Sequence, residues 1–462
     1  MHLPTFPRSM AAVRHVQTAF GGYDHRPACP EGGIYEMING SAADSPLFAT
    51  RPGRTLSYPC TGQPNGLFAA GDGLLWCAGT ALYHNGEAVP GCTLTDTPKV
   101  FAELGGTVLI WPDKIWFRPA DGTFGSAEPS WTGAVTLASS DGTGDAGRAN
   151  VLQAAGAGTR FRVGDAVTLS GFGDARNNGT YILRGIDGAK LIFDPDTFVR
   201  AGALSGVTIT RRVPDAQHAC SYGNRLWACA HDTVWCTKLG DPLSWFWYEA
   251  DENGAVATAA WSVDVGAPGD FSGCAATGSG VVFLKPEGLW RLYGTRPDNF
   301  QLVASAALGA EQGSGRTLVT AAETLYYLSP VGPARTAGGR PTRIGDALGR
   351  TLSDGAAGTD GTRWYLSARD EKSAWHLFAY DTRSGLWSRE DDFHARAFAR
   401  RGGALYAQDA RGIWRFGTGS TAQISHPKTR MPRHNSPTAN RGKNPWFTAP
   451  RAIVAAAAIT SA

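Results

Sequence analysis

A strand–turn–strand pattern rich in aromatic residues recurs along most of this chain and constrains its fold more than any other feature. Each copy has small residues, a turn with Gly, a strand that contains an aromatic residue, and then a second turn and strand. Successive aromatic positions are 35 residues apart at the start and 44, 38 and 41 apart at the end. A period of about 40 residues with four short strands per repeat is typical of β-propellers. The equivalent aromatic residues are Trp76, Trp111, Phe283, Tyr327, Tyr365 and Tyr406.

The local patterns agree with this architecture. Apolar residues alternate with a period nearer two than 3.6, and pairs such as Asp72-Gly73 and Gly402-Gly403 are those of tight hairpin turns. A four-stranded blade has two apolar faces and needs a neighbour on each side, so we expect most of the 15 Trp to fill the space between blades. The prediction is an all-β fold, a β-propeller of about six or seven blades.

The repeat is interrupted once, between Trp111 and Trp227. Residues 132–213 in this interval carry their own β pattern, including the hairpin turn Asn178-Gly179, and predict a small inserted barrel or sandwich of five strands. Residues 1–65 form no repeat and are a candidate source of a strand that closes the ring. The predicted organisation is an N-terminal arm (1–65), first blades (66–131), the insert (132–213), the remaining blades (214–417) and an extended tail without strands (418–462).

Positive charge is concentrated near the end of the chain. Residues 421–462 carry +6 without any acidic residue, although the whole chain has a formal net charge of only +3. This composition is typical of a solvated, disordered segment, and it is also that of a contact for nucleic acid or an acidic partner. The six residues concerned are Lys428, Arg430, Arg433, Arg441, Lys443 and Arg451.

The sequence contains no recognisable catalytic motif. It has no Gly-x-Ser-x-Gly elbow, no phosphate-binding Gly-x-x-x-x-Gly-Lys loop and no His-Glu-x-x-His pair, and its eight Cys form no Cys-x-x-Cys pair. We therefore predict a protein without enzymatic activity, with no catalytic residue, no cofactor and no metal site. The N-terminus lacks a signal-peptide pattern and no apolar stretch is long enough to span a bilayer, so synthesis in a cytoplasm and no membrane span are expected.

Two other functions remain open at this level. A carbohydrate-binding propeller, as in receptor recognition, would stack sugars on exposed Trp in loops, and Trp245 and Trp247 are the candidates. A propeller glycoside hydrolase would need paired carboxylates at the central channel, whereas the acidic residues of this sequence are dispersed and several lie in turns.

Three stretches resemble one protein family. The arm reads Phe20-Gly-Gly-Tyr-Asp-His-Arg26, then Glu31-Gly-Gly-Ile-Tyr-Glu-Met-Ile-Asn39 and Asp44-Ser-Pro-Leu-Phe-Ala-Thr-Arg-Pro-Gly-Arg54. The insert contains Val163-Gly-Asp-Ala-Val-Thr-Leu-Ser-Gly171 and Asn177-Asn-Gly-Thr-Tyr181, and a blade contains Asn224-Arg-Leu-Trp227. In this order they resemble the stabilisation, or packaged-DNA stabilisation, proteins of tailed-bacteriophage virions.

The resemblance covers roughly residues 18–420 and implies a function in assembly. It implies a virion protein made in a bacterial cytoplasm, a propeller at the head–tail junction or tail tip that contacts other virion proteins in a homo-oligomeric ring or hub. It implies no catalytic residue. Family members continue beyond the propeller with a further β region, whereas this sequence ends in a basic segment rich in Pro and Ala. The resemblance therefore does not extend to the assembly surface that this region supplies in family members.

Overall fold

A computed structural model of the chain describes residues 20–47, 49–138, 148–199, 204–250, 256–419 and 425–428. Regular structure in these ranges consists of β-strands and three single-turn 3-10 helices, Ala175–Asn177, Gly315–Thr317 and Asp346–Leu348. The N-terminal arm begins the strand order. Its strands are β1 (Glu36–Ile38), β2 (Gly40–Ser41), β3 (Ala49–Thr50) and β4 (Arg54–Pro59).

The first two blades follow the arm directly, and each is a four-stranded antiparallel sheet in sequence order. Tight turns at Gly71-Asp72 and Gly105-Gly106 join their first two strands, and the glycines adopt the positive φ that such turns require. Blade 1 comprises β5 (Pro64–Ala70), β6 (Gly73–Ala78), β7 (Ala81–His84) and β8 (Glu87–Thr93), and blade 2 comprises β9 (Val100–Leu104), β10 (Thr107–Trp111), β11 (Ile115–Arg118) and β12 (Thr123–Ser126).

The insert lies between blades 2 and 3. It is a sandwich, one of the two predicted architectures, but it has more than the five predicted strands. One sheet has the order β13-β22-β17-β18, the other β14-β16-β20-β19, and β15 pairs with β21. Val167 and Ile209 of the first sheet share a buried core with Leu152 and Leu191 of the second. Sequence alone undercounted these strands because several are only two or three residues long. They are β13 (Ser130–Gly133), β14 (Thr136–Ala138), β15 (Arg148–Ala149), β16 (Val151–Gln153), β17 (Ala166–Ser170), β18 (Gly179–Ile182), β19 (Gly185–Asp187), β20 (Lys190–Ile192), β21 (Phe198–Val199) and β22 (Val207–Thr210).

Blades 3 to 6 repeat the pattern of the first two. Each is an antiparallel four-stranded sheet whose strands follow one another along the chain. Their strands are β23 (His218–Tyr222), β24 (Arg225–Ala230), β25 (Thr233–Cys236) and β26 (Trp261–Asp264); β27 (Gly273–Thr277), β28 (Gly280–Lys285), β29 (Gly288–Tyr293) and β30 (Gln301–Ser305); β31 (Val319–Ala321), β32 (Thr324–Ser329), β33 (Gly332–Thr336) and β34 (Thr342–Arg343); and β35 (Leu352–Thr359), β36 (Arg363–Asp370), β37 (Trp375–Asp381) and β38 (Trp387–Asp391).

Blade 7 is built from both ends of the repeat region. Its three inner strands are β39 (Ala397–Arg401), β40 (Ala404–Asp409) and β41 (Gly412–Phe416), and its outer strand is β4 of the arm, which pairs antiparallel with β41. The arm therefore supplies the closing strand that the sequence suggested. The inner strand of each blade contacts that of the next, including β39 with β5, so the seven blades form a closed ring. The prediction of an all-β propeller of six or seven blades is confirmed.

Apolar clusters fill the space between neighbouring blades, and the recurrent aromatic residues lie in them. Trp76 packs between blades 7 and 1, Trp111 between blades 2 and 3, and Trp227 between blades 3 and 4. Tyr327 and Trp364 occupy the next two junctions. Each of these rings is at most 2% exposed, so their repetition in the sequence reflects the packing of blades.

One more strand lies outside the ring. Residues Ser425–Lys428 form β42, which pairs antiparallel with β1 of the arm. The tail had been expected to contain no strand. The side-chain pattern gave no signal for this strand, because pairing with β1 uses backbone donors and acceptors rather than an alternation of apolar side chains.

Candidate functional site at the closure of the ring

The arm lies along the outer edge of blade 6. The backbone N–H groups of Tyr23 and Asn39 donate to the carbonyls of Trp387 and Glu390, each at 2.7 Å, and the N–H of Ala42 donates to Ser388 Oγ at 2.9 Å. These bonds satisfy polar groups of β38 that an outer strand otherwise leaves free. The Tyr23 ring is 1% exposed and belongs to the core between blades 5 and 6.

The sequence of the arm from Phe20 to Arg26 is explained by local backbone contacts. The Gly21 N–H donates to the Gly32 carbonyl at 2.7 Å, and a Cβ on Gly21 would lie 2.9 Å from the carbonyl carbon of Gly32. Two segments of the arm therefore approach more closely than a side chain permits. Asp24 accepts hydrogen bonds from the backbone and guanidinium of Arg26, which fixes the turn that follows Tyr23.

A buried ionic cluster joins the arm to blade 6. Arg51 Nη2 lies 2.9 Å from Asp391 Oδ2, and Arg54 pairs with the same oxygen. Glu390 Oε2 lies 3.7 Å from Arg51 Nε and 3.8 Å from Arg54 Nη1, and it has no hydrogen-bond donor in the described structure. Because both arginine side chains are 8% exposed and that of Glu390 is 4% exposed, these charges stabilise one another in place of water.

Burial determines how the cluster titrates. It raises the pKa of Glu390, although Arg51 and Arg54 act in the opposite direction, and it lowers the pKa of Arg54. The Arg54 guanidinium also lies over two rings of the junction between blades 6 and 7, 4.3 Å from the centre of Phe393 and 5.1 Å from that of Phe416. Arg54 therefore links the closing strand both to the carboxylates and to the apolar core.

A cleft of about 480 Å³ opens beside this cluster, and we call it the closing cleft. The Trp414 indole N–H donates to Asp409 Oδ1 at 2.9 Å, and the Arg411 guanidinium lies 4.6 Å from the centre of the Trp414 ring. The side chains of Arg411 and Asp392 are 64% and 65% exposed. The cleft thus has aromatic walls and both hydrogen-bond donors and acceptors at its rim. Its lining residues are Arg51, Gly53, Arg54, Asp391, Asp392, Phe393, Arg411 and Trp414.

Asp392 also connects the cleft to a buried histidine. His376 lies between two carboxylates, with Nε2 2.9 Å from Asp370 Oδ2 and Nδ1 3.3 Å from Asp392 Oδ1. Burial raises the pKa of Asp370, but the hydrogen bonds from His376 and from the amides of Ala374 and Lys372 outweigh it and bring this pKa to about 2. The array fixes the connection from blade 6 to blade 7.

A second cavity, of about 560 Å³, lies where the inner strands of blades 1, 2 and 3 meet. Its walls include the stacked rings of Phe68 and Phe101, 5.6 Å apart, and the thiol-bearing Cys220. Its one carboxylate, that of Glu103, accepts the backbone N–H of Gly71 at 3.2 Å. This cavity is mainly apolar, in contrast to the closing cleft.

The expectation that Trp245 and Trp247 are exposed is wrong. Trp245 is 1% exposed and packs edge-on against Trp111, with ring centres 5.9 Å apart, in the core between blades 2 and 3. Trp247 is 8% exposed and contacts Ala166 and Ile182 of the insert. The segment between β25 and β26 reads as a surface loop, yet it folds back to cover two apolar seams, so neither ring is free to stack on a sugar.

The basic residues of the tail lie almost entirely outside the described residues. Only Lys428 falls within them, at the end of β42, where its backbone pairs with Glu36. Arg430, Arg433, Arg441, Lys443 and Arg451 lie in a part of the chain that the structure does not describe.

Sequence reasoning missed the closing cleft. Arg51 and Arg54 are part of the arm stretch Asp44 to Arg54. Their partners could not be identified from the neighbouring sequence, because Arg51 and Asp391 are 340 positions apart. The only signal was the expectation that the arm closes the ring. Among the described residues, no group of three or more His, Cys, Asp or Glu is arranged to hold a metal ion.

No family model and no curated protein matches the chain. Solved structures that are similar to it include BamB from Moraxella catarrhalis, at 12% identity and a TM-score of 0.37, covering 79% of this chain and 97% of that chain. The phage phi92 endosialidase is similar at 12% identity and a TM-score of 0.29, covering 86% and 74%. A chain of the mitotic checkpoint complex is similar at 8% identity and a TM-score of 0.41, covering 79% and 93%.

In the part of the chain that the structure describes, no helix is long and apolar enough to cross a membrane.

Proposed function

We propose that this protein is a structural component of a tailed-phage virion or prophage particle, a propeller that binds other virion proteins at the head–tail junction or tail tip and catalyses no reaction. The observation that carries the proposal is the location of the segments that resemble the virion family. Most of these segments form the docked arm and part of the insert, the two elements added to an otherwise regular ring, and one short segment lies in blade 3. We propose a homo-oligomeric ring or hub as its assembly.

The way the insert is held supports a binding role. Arg162 of the insert pairs with Asp241 at 3.2 Å, and Arg184 pairs with Glu249 at 2.7 Å, both partners lying between β25 and β26 of blade 3. Trp247, buried against Ala166 and Ile182, anchors the insert to blade 3, and the two exposed ion pairs flank this contact. A rigid projection of this kind presents a defined surface to a partner at low entropic cost.

Exposed apolar residues lie near the same seam. Val163 of the insert is 61% exposed, and Leu239 and Tyr248 of blade 3 are 41% and 48% exposed. Val163 and Leu239 flank the Arg162–Asp241 pair along the chain. Apolar side chains at a protein surface are candidate contacts for another protein, and we propose that this seam contacts a neighbouring virion subunit.

Purified particles test the proposal directly. Mass spectrometry and immunogold labelling of particles from a strain that carries the gene should find the chain at a fixed copy number and at one position. Its absence from otherwise complete particles would overturn the assignment.

The basic tail belongs to the same proposal as a contact for duplex DNA or an acidic partner. Neutralised phosphates release counterions, so DNA binding should weaken steeply with salt. Gln in place of the six basic residues should reduce both the affinity and its salt dependence, while equal binding by the two proteins would exclude a DNA contact through the tail.

A carbohydrate-binding propeller is the second candidate function. Trp245 and Trp247 no longer support it, but the closing cleft does, since it combines the Trp414 ring with exposed polar groups of Arg411 and Asp392.

A further inference from the structure

We propose that the closing cleft binds an uncharged glycan, with a pyranose ring against Trp414 and its hydroxyl groups bonded to Asp392 and Arg411. This inference rests on the second candidate function and does not require the virion assignment. The cleft volume of about 480 Å³ falls in the range of small-ligand sites.

The aromatic wall is held rigidly. The bond from the Trp414 indole N–H to Asp409 fixes the ring in its plane, and Phe393 packs against it edge-on with ring centres 6.0 Å apart. Phe393 in turn lies under the guanidinium of Arg54. The Arg411 guanidinium covers one face of this ring, 4.6 Å from its centre, so a sugar stacks on the part of the ring that lines the cleft. Because the ring has a fixed orientation, it loses little entropy when the apolar C–H face of a sugar packs there.

The rim of the cleft carries both hydrogen-bond donors and hydrogen-bond acceptors. Arg411 uses Nε and Nη2 to bond Asp409 and leaves Nη1 as a donor. Asp392 Oδ1 accepts from Arg389 at 2.6 Å, so Oδ2 is the acceptor that this side chain, 65% exposed, offers to a ligand. Each sugar hydroxyl both donates and accepts, so vicinal hydroxyls match such a rim.

The charge of the cleft selects against ions. Asp391 and Asp392 line the cleft, and Glu390 and Asp409 pair with its arginines. These four carboxylates are matched by four guanidinium groups, those of Arg51, Arg54 and Arg411 and that of Arg389, which pairs with Asp392 at 2.6 Å. An anionic ligand would meet these carboxylates, and a cationic one would meet the arginines. Since nearly balanced charges favour neither sign, an uncharged polar ligand fits the site best.

The cleft exists only in the closed ring. Arg51, Gly53 and Arg54 come from the arm, Asp391 to Phe393 from the blade 6 edge, and Arg411 and Trp414 from blade 7. Binding a glycan therefore stabilises the docked arm, because a ligand shifts the equilibrium toward the state that binds it.

A glycan array with the full chain tests this inference. It should carry neutral oligosaccharides, each beside its sialylated or phosphorylated derivative. We expect binding to neutral members and weaker binding to their acidic derivatives. Absence of binding across the array, or preference for the acidic derivatives, would overturn the proposal. Neither outcome bears on whether the chain is found in particles, so the two proposals fail independently.

Titration calorimetry with the best neutral glycan locates the site. Trp414→Ala and Arg411→Ala should each weaken binding at least about tenfold, a loss of about 1.4 kcal/mol. Trp116→Ala is the matched control, because Trp116 has a guanidinium 5.6 Å from its ring, that of Arg118, and does not line the closing cleft. Arg411 is 64% exposed, so its replacement should leave the melting temperature nearly unchanged. Unchanged affinity in Arg411→Ala, or equal loss in Trp116→Ala, would contradict the assignment.

Discussion

The junction between blades 6 and 7 and that between blades 2 and 3 solve the same packing problem with different chemistry. Blades 2 and 3 meet through rings such as Trp111 and Trp245, which lie in one buried apolar core. Blades 6 and 7 share an apolar core too, but their outer edges are joined by arginines of the arm and carboxylates of β38. At the closure of the ring, buried charges join parts of the chain that are far apart in sequence. The junction between blades 2 and 3 relies mainly on its apolar core, with the ion pair of Lys114 and the exposed Asp215 at its edge.

Deleting the arm should have the largest effect. Loss of residues 1–60 removes the outer strand of blade 7 and exposes β38, so we expect no folded monomer by near-ultraviolet circular dichroism. Replacing residues 131–209 by a short Gly-Ser linker is the contrasting change, since Ser130 and Thr210 are paired and can be bridged. That variant should keep the ring. If both variants lost their structure to the same extent, ring closure would not depend on the arm more than on the insert between blades 2 and 3.

Trp245→Ala should destabilise the chain by about 4 kcal/mol, because it leaves a cavity beside Trp111 in a closed apolar junction. Urea unfolding measures the loss. A change below about 1 kcal/mol would mean that the segment between β25 and β26 is not part of the blade 2–3 core.

Arg54→Ala should cost somewhat less, about 3 kcal/mol, because it leaves Glu390 buried with one fewer compensating charge. The loss should shrink as the pH is lowered, since protonation of Glu390 removes that charge. Arg118→Ala is the control, a side chain that is 48% exposed and pairs with Asp121 at the surface; such a pair contributes little to stability. Equal effects of the two substitutions would show that the ionic cluster does not secure closure.

Replacing Asp370 by Asn should have the smallest effect on stability, and this effect should depend on pH in a specific way. Its pKa is about 2 in the folded chain and 3.8 in the unfolded one, so its contribution to stability is complete above pH 3.8 and is lost as the pH falls toward 2. The difference in unfolding free energy between wild type and Asp370→Asn should therefore narrow over this window. A difference that stays constant down to pH 2 would contradict the role of the His376 contact.

The sequence predicts the structural features that are determined by residues close together along the chain. The hairpin turns, the alternation within strands and the aromatic residues of the second strands are local, and they indicated the propeller and its approximate blade number. The closing cleft was not predictable because Arg54 meets Asp391 across 337 positions. Trp245 and Trp247 were misjudged for a related reason, since whether a loop folds over an apolar seam depends on the blade and insert beneath it.

The central claim is that the arm closes the ring as an integral strand secured by Arg54. Hydrogen exchange followed by mass spectrometry tests it most directly in the full chain. We predict that residues 54–59 exchange far more slowly than an unstructured peptide, because their N–H groups that face β41 are bonded to residues 412–416 of blade 7. In Arg54→Ala both segments should exchange faster together, while residues 73–78 of blade 1 remain protected. Exchange of residues 54–59 at the rate of an unstructured peptide in the wild-type protein would contradict the account.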